Sequence, residues 1–148
     1  EDVPAVLPMV AKICALHEDW DAAKYSFLPY PEQRYQRWLA KIATDDRAVF
    51  LVAEVSSLVV GFLVATVERE IPIYRLQEYA FIHDLWVEEG YRHAGIARQL
   101  VTQAIALFRK MGVKQVRLDT AAPNEAARRL FSSSDFRVST IEMLVELE

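Results

Sequence analysis

A single cysteine, Cys14, occurs in the 148 residues, so an intramolecular disulfide framework and a cysteine-rich metal site are both excluded. One thiol suits a reducing compartment, and a cytoplasmic location is the expectation. No apolar run approaches the ~20 residues of a membrane span, and no signal-peptide pattern opens the sequence. Basic runs are also missing. With 17 basic against 21 acidic residues and a net charge of −4, nucleic acid is set aside as a partner. No His, Cys or carboxylate pair stands at a metal-ligand spacing, and no metal is expected. Repeats, linkers and low-complexity segments are absent, which leaves one domain over residues 1–148. With 53% hydrophobic and 26% charged residues it is long enough, and ordinary enough in composition, to bury a core.

The stretch from Glu78 to Met111 organises the rest. Glu78–Val87 is a β-branched and aromatic run that reads as a buried strand. A polar elbow, Glu88–Tyr91, leads into Arg92-His93-Ala94-Gly95-Ile96-Ala97. Ile96, Leu100, Ala104, Leu107, Phe108 and Met111 then recur at helical spacing up to the stop signal Gly112. Strand, short basic loop and helix together build an anion site, because the first N–H groups of a helix lack internal partners and carry partial positive charge. Gly95 and Ala97 allow a pyrophosphate close to the backbone, and Arg92 adds a fixed charge. A phosphate-bearing cofactor is the expected ligand. The Lys-Ser/Thr ending of a P-loop and the three glycines of the dinucleotide fingerprint are both missing.

Around this unit, residues 3–18 read as an amphipathic helix with Pro4 in its first turn and Pro8 tolerated early. An aromatic loop, 19–31, precedes a helix that starts at Pro31, carries Tyr35, Trp38, Leu39 and Ile42 on one face and ends near Thr44. That loop serves either packing or one wall of a small-molecule pocket. Ala48–Val55 and Leu58–Glu68 form a hairpin about Ser56-Ser57. Gly61 marks a place where a side chain would obstruct a bulge or neighbour. After Gly112 a strand alternates from Val113 to Thr120, a helix follows with Asn124 as N-cap, and Ile141, Met143, Val145 and Leu147 alternate as a final strand. The order α α β β β α β α β predicts an α+β fold with a mixed sheet.

Arg92-x-x-Gly95-x-Ala97 resembles, position for position, the Arg/Gln-x-x-Gly-x-Gly/Ala signature of the GNAT family, the GCN5-related N-acetyltransferases. Asn124, Ala127, Leu130, Phe131, Asp135 and Phe136 resemble the family's Asn-x-x-Ala-x-x-Leu-Tyr-x-x-x-Gly-Phe motif. The resemblance covers most of the chain and implies a central mixed sheet with helices on both faces. The family's first strand would lie just upstream of Glu1.

The implied cofactor is acetyl-CoA. Its pyrophosphate would sit on the backbone of Arg92, His93, Ala94, Gly95, Ile96 and Ala97. Its pantetheine arm would pair with the backbone of Leu85, Trp86 and Val87, like an added strand. Asn124 would touch the cofactor arm, cap its helix, or both. Phe131 stands where many members have the Tyr that protonates the leaving thiolate, and Asp135 where they have Gly. A water, or Tyr25, Tyr74 or Tyr91, would then supply the missing acid. The resemblance also carries an expectation of a homodimer.

Acetyl transfer needs the free-base amine. His83, at a position where a number of small-molecule members carry Glu, is the first candidate base, with a packed strand histidine as the alternative. Asp84 points to the opposite strand face unless a bulge intervenes, and either holds a cationic substrate or pairs with a surface Arg. Glu78 and Tyr79 are weaker candidates. The expected activity is acetyl transfer to a primary amine, with a small cationic molecule favoured over a peptide N-terminus or lysine. The alternatives are a non-catalytic acyl-CoA-binding module, which Phe131 favours, and an unrelated nucleotide-binding domain.

Overall fold

The computed structural model describes residues 2–148. Helices α1 (Val3–Trp20) and α2 (Pro31–Ile42) come first, followed by strands β1 (Val49–Val55), β2 (Leu58–Arg69) and β3 (Glu78–Val87). A 3-10 turn (Glu89–Tyr91) leads to α3 (Ile96–Lys110), β4 (Val116–Leu118) and α4 (Glu125–Ser133). The strands lie in the order β1-β2-β3-β4, antiparallel except for the parallel β3–β4 pair that α3 connects. Among the described residues no helix is long and apolar enough to cross a membrane.

Strand periodicity sorts the core into two layers. Leu63, Ala65, Ala80 and Ile82 face α3, with Leu100, Val101, Ala104 and Phe108. Phe62 and Val64 face α1 and α2, with Val6, Val10 and Leu39. The hairpin turns at Ser56 and Ser57, both with positive φ (51° and 66°), the backbone that a two-residue hairpin needs. Gly112 (φ 81°) ends α3, and Asp135 (φ 69°) takes the left-handed position after α4. Asn124 caps α4 by accepting the Ala127 N–H at 3.1 Å.

Two strand expectations are corrected. β4 pairs only over Val116–Leu118, opposite Ala80–Ile82, because β3 bulges immediately beyond Ile82 and leaves the parallel register. The expected final strand forms no ladder among the described residues. Ile141 (79% exposed), Met143 (90%), Val145 (78%) and Leu147 (89%) project into solvent along an arm over residues 137–148. Alternation assigns side chains to two faces but supplies no edge to pair with. Here the arm is held by the Lys24–Glu142 ion pair to the α1–α2 connection.

Candidate active site

The site gathers at the C-terminal half of β3, where three features of the chain coincide. The first is the open edge. β4 stops opposite Ile82, so among the described residues Leu85, Trp86 and Val87 have a strand neighbour on the β2 side only. Glu88 donates its N–H to Val60 O at 2.7 Å, toward β2, and the Trp86 carbonyl also lies over β2 at Gly61. By strand alternation Leu85 and Val87 turn their N–H and C=O groups to the free side. Gly61 is required beneath: a Cβ there would stand 2.8 Å from Trp86 O.

The second feature is the loop that follows. His93 (φ 65°) and Gly95 (φ 83°) wind it into α3, whose Ile96, Ala97 and Arg98 N–H groups have no backbone acceptor among the described residues. Arg92 does not simply point outward. Its Nε donates to Val87 O at 2.7 Å, and its guanidinium lies 4.6 Å from the centre of the Trp86 ring. Strand end and loop are thereby tied together. Trp86 Nε1 is buried and unpartnered. Arg98, bonded to Ser133 Oγ at 2.7 Å, adds a cation at the same helix end. Phe131 is buried edge-to-face against Phe136 in the α3 layer.

The third feature is the bulge. Val64 pairs with Asp84 and Ala65 with Ile82, leaving His83 as the extra residue. Consequently His83 and Asp84 both turn to the α2 side, the placement that an intervening bulge gives Asp84. Tyr35 Oη donates to Asp84 Oδ2, so the carboxylate is partnered by a phenol and not by a surface Arg. Trp38, one turn along α2, meets the His83 ring edge-on at 5.1 Å. His83 Nε2 lies 2.6 Å from Thr66 Oγ1, which donates to Glu68 Oε1 at 2.7 Å.

Burial sets the electrostatics. It raises the Asp84 carboxyl above its usual value, against the Tyr35 hydrogen bond and the nearby His83 and His17. It pushes the Tyr35 hydroxyl far up, with the Asp84 charge adding to it. The same burial lowers His83, although Asp84 and Glu68 oppose the shift. Cys14 on α1 is pushed up to about 11, by burial first and then by Asp84, Glu18 and Glu32. Acidic groups thus surround an imidazole that burial biases toward its neutral form.

Other candidates lie elsewhere. Glu78 is paired with Arg47 at 2.7 Å, and the Arg117 guanidinium covers the Tyr79 ring at 3.8 Å. His93 and Ala94 are exposed in the loop. Tyr25 packs on His17, Tyr74 is exposed, and Tyr91 packs against the α3 layer. Tyr35, Thr66, Glu68 and Arg98 are given no site role by the sequence. Tyr35 and Trp38 stand out there only as the apolar face of a helix.

A model of the Acetyltransferase (GNAT) family matches residues 13–136. The chain belongs to the GNAT family. Among curated relatives, the uncharacterized N-acetyltransferase YycN of Bacillus subtilis is 33% identical over 89 residues, 60% of this chain and 54% of the relative. MJ1207 of Methanocaldococcus jannaschii, also an uncharacterized N-acetyltransferase, is 31% identical over 108 residues, covering 72% of this chain and 47% of the relative. The chain thus spans about half the length of these relatives. Among solved GNAT-like folds, a point mutant of the BH1408 protein from Bacillus halodurans superposes with a TM-score of 0.85 at 18% identity, over 99% of this chain and 94% of that one. The aminoglycoside acetyltransferase AAC(6')-Iy, in complex with a bisubstrate analog, gives 0.67 at 14% identity, over 91% and 88%.

Proposed function

We propose that these 148 residues act as one domain that transfers an acetyl group from acetyl-CoA to the primary amine of a small cationic molecule, by direct attack in a ternary complex. The observation that carries this reading is the open β3 edge at Leu85–Val87, which runs straight into the unpartnered N–H groups of α3. The edge suits the amide-rich pantetheine arm, and the loop suits its pyrophosphate. Acetyl-CoA supplies the activated acyl group. Leu85 and Val87 orient it through their backbone, Arg92, His93, Ala94, Gly95, Ile96 and Ala97 hold the phosphates, and Asn124 and Phe131 flank the arm. AAC(6')-Iy, whose fold this chain shares, is in complex with CoA-S-monomethyl-acetylneamine, which supports acyl-CoA use.

The amine arrives protonated and must lose a proton before its lone pair can attack. His83 and Asp84, brought to one face by the bulge, are the groups placed to take it. The acidic surroundings favour a cationic acceptor. A reducing cytoplasm fits the lone, half-buried Cys14. The reading includes a homodimer, in which the apolar arm 137–148 of one copy adds to the unpaired outer edge of β4 in the other. Sedimentation velocity should then detect a two-chain species, and a single-chain species would remove this part.

Calorimetric titration with acetyl-CoA, free CoA and ATP tests the cofactor. Binding of the first two without ATP is expected, and equal binding of ATP overturns the assignment. A panel of amines followed by thiol release tests catalysis. Phe131 favours a second reading, a non-catalytic acyl-CoA-binding module, because its ring has no proton to give. Cofactor binding without turnover across the panel would select that reading.

A further inference from the structure

We infer that Thr66 and Glu68 form a proton relay with His83 that carries the acceptor's proton from the His83 ring to solvent. The inference rests on the reading of His83 as the base. Thr66 and Glu68 are two apart on β2, so both side chains stand on the α2 face. The bulge in β3 swings the His83 ring over the same hydroxyl. Thr66 is buried at 8% exposure, while the Glu68 side chain is 44% exposed. The path therefore begins inside and ends in water.

Hydrogen-bond counting assigns the protons. A hydroxyl has one proton, and a carboxylate only accepts. Thr66 spends its proton on Glu68 at 2.7 Å and must accept from His83 at 2.6 Å. Neutral His83 accordingly carries its proton on Nε2. Its Nδ1, which makes no hydrogen bond among the described residues, holds the lone pair. Trp38 and Phe81, each 5.1 Å from the ring, fix its plane. The titratable groups acting on this ring are Asp84 from β3 and Glu68 from β2, and Tyr35 from α2 is bonded to Asp84. From α1, His17 acts on Asp84, and Asp84 in turn acts on Cys14.

The transfer balances. An N–H bond of the ammonium breaks and its proton bonds to Nδ1. The Nε2 proton moves to Thr66 Oγ1, and the Thr66 proton moves to Glu68. The imidazole stays neutral throughout, and Glu68 becomes a carboxylic acid at the surface. Glu68 then releases its proton to water, the one proton that acetylation of an ammonium sets free. The second proton of the attacking nitrogen passes to the departing CoA thiolate as the C–S bond breaks, so the thiolate receives the proton that Phe131 cannot supply. After the products leave, Glu68 takes a proton from water and returns it through Thr66 to Nε2 while Nδ1–H gives its own to water, which restores the starting tautomer.

Long-range proton–nitrogen NMR on histidine-labelled protein tests the proton assignment without any acceptor. The Nε2–H tautomer of His83 is expected at neutral pH, and the Nδ1–H tautomer overturns the relay. Kinetics on the amine identified by panel tests the path. Thr66→Val keeps the shape and should lower kcat about tenfold or more, with acetyl-CoA affinity unchanged and partial rescue by added imidazole buffer. Glu68→Gln, at an exposed position, should lower kcat and move the acid limb to lower pH, because an anion facing the ring is gone. Wild-type kcat in both variants, with His83→Ala slow, overturns the relay and leaves the base in place. Wild-type kcat in all three overturns the base as well.

Discussion

Tyr35 on α2 donates its hydroxyl proton to Asp84 on β3, joining the second helix to the one strand position at which the sheet loses its regular pleat. That bond favours the charged carboxylate, while burial opposes it. Tyr35→Phe should therefore raise Asp84 further and move the acid limb of kcat to higher pH. An unmoved limb would show that Asp84 takes no part in the rate.

Asp84 also makes a stability prediction. Its carboxyl is raised in the folded state, so the folded chain holds that proton more tightly than the unfolded chain does. This favours folding at low pH and is lost as pH rises from the unfolded value of about 3.9 through the folded one. Asp84→Asn should thus gain melting temperature relative to wild type as pH goes from 4 to 7, while losing turnover. Thermal melts across that range read the difference.

His83→Ala should slow turnover mainly below pH ~8, where free amine is scarce. The imidazole is lowered by burial, so its neutral form persists below the usual value of about 6.5. The sign for stability is opposite to that of Asp84. Folding is favoured above the unfolded value and loses that help as pH falls toward the folded one, a loss His83→Ala should not show.

Gly95→Glu should abolish acetyl-CoA binding by calorimetry in a folded protein. The position has open space but a φ of 83°, so the variant adds both a charge at the phosphate site and about 1–2 kcal/mol of backbone strain. Gly95→Ala carries the strain alone and should retain measurable binding.

Gly61→Ala should cost about 1–3 kcal/mol and weaken cofactor binding together. The new methyl would meet Trp86 O at 2.8 Å and Val87 Cγ2 at 3.3 Å, so β2 and β3 must part beneath the open edge. Denaturant melts and calorimetry on one sample test the pairing, and a stable variant with wild-type affinity would refute it.

Most of the backbone around β3, its loop and α3 was legible in the sequence, because its signals are local. Gly95, Gly112, Ser56-Ser57 and Asn124 each specify a backbone conformation within a few residues of themselves. The surroundings of the β3 bulge were not legible in the same way. A bulge depends on how two strands are registered, and nothing within Phe81–Leu85 announces that His83 will be the extra residue. Tyr35 reads as the apolar face of a helix until a carboxylate is placed beside it. The final strand failed for the converse reason, since its alternation is real but its pairing partner is not written in residues 137–148.

The stacking of Arg92 on Trp86 gives the protein a built-in optical probe. Only three tryptophans are present, and they occupy different territories. Trp20 packs on His17, Trp38 borders His83, and Trp86 lies under a guanidinium at the open β3 edge. An occupant of that edge competes with Arg92 for Val87 O and alters the field around the Trp86 indole. Its emission should change on adding CoA, whereas an amine alone should perturb Trp38. Ordered addition of the two substrates can then be followed by fluorescence, with no label and before any acceptor has been shown to turn over.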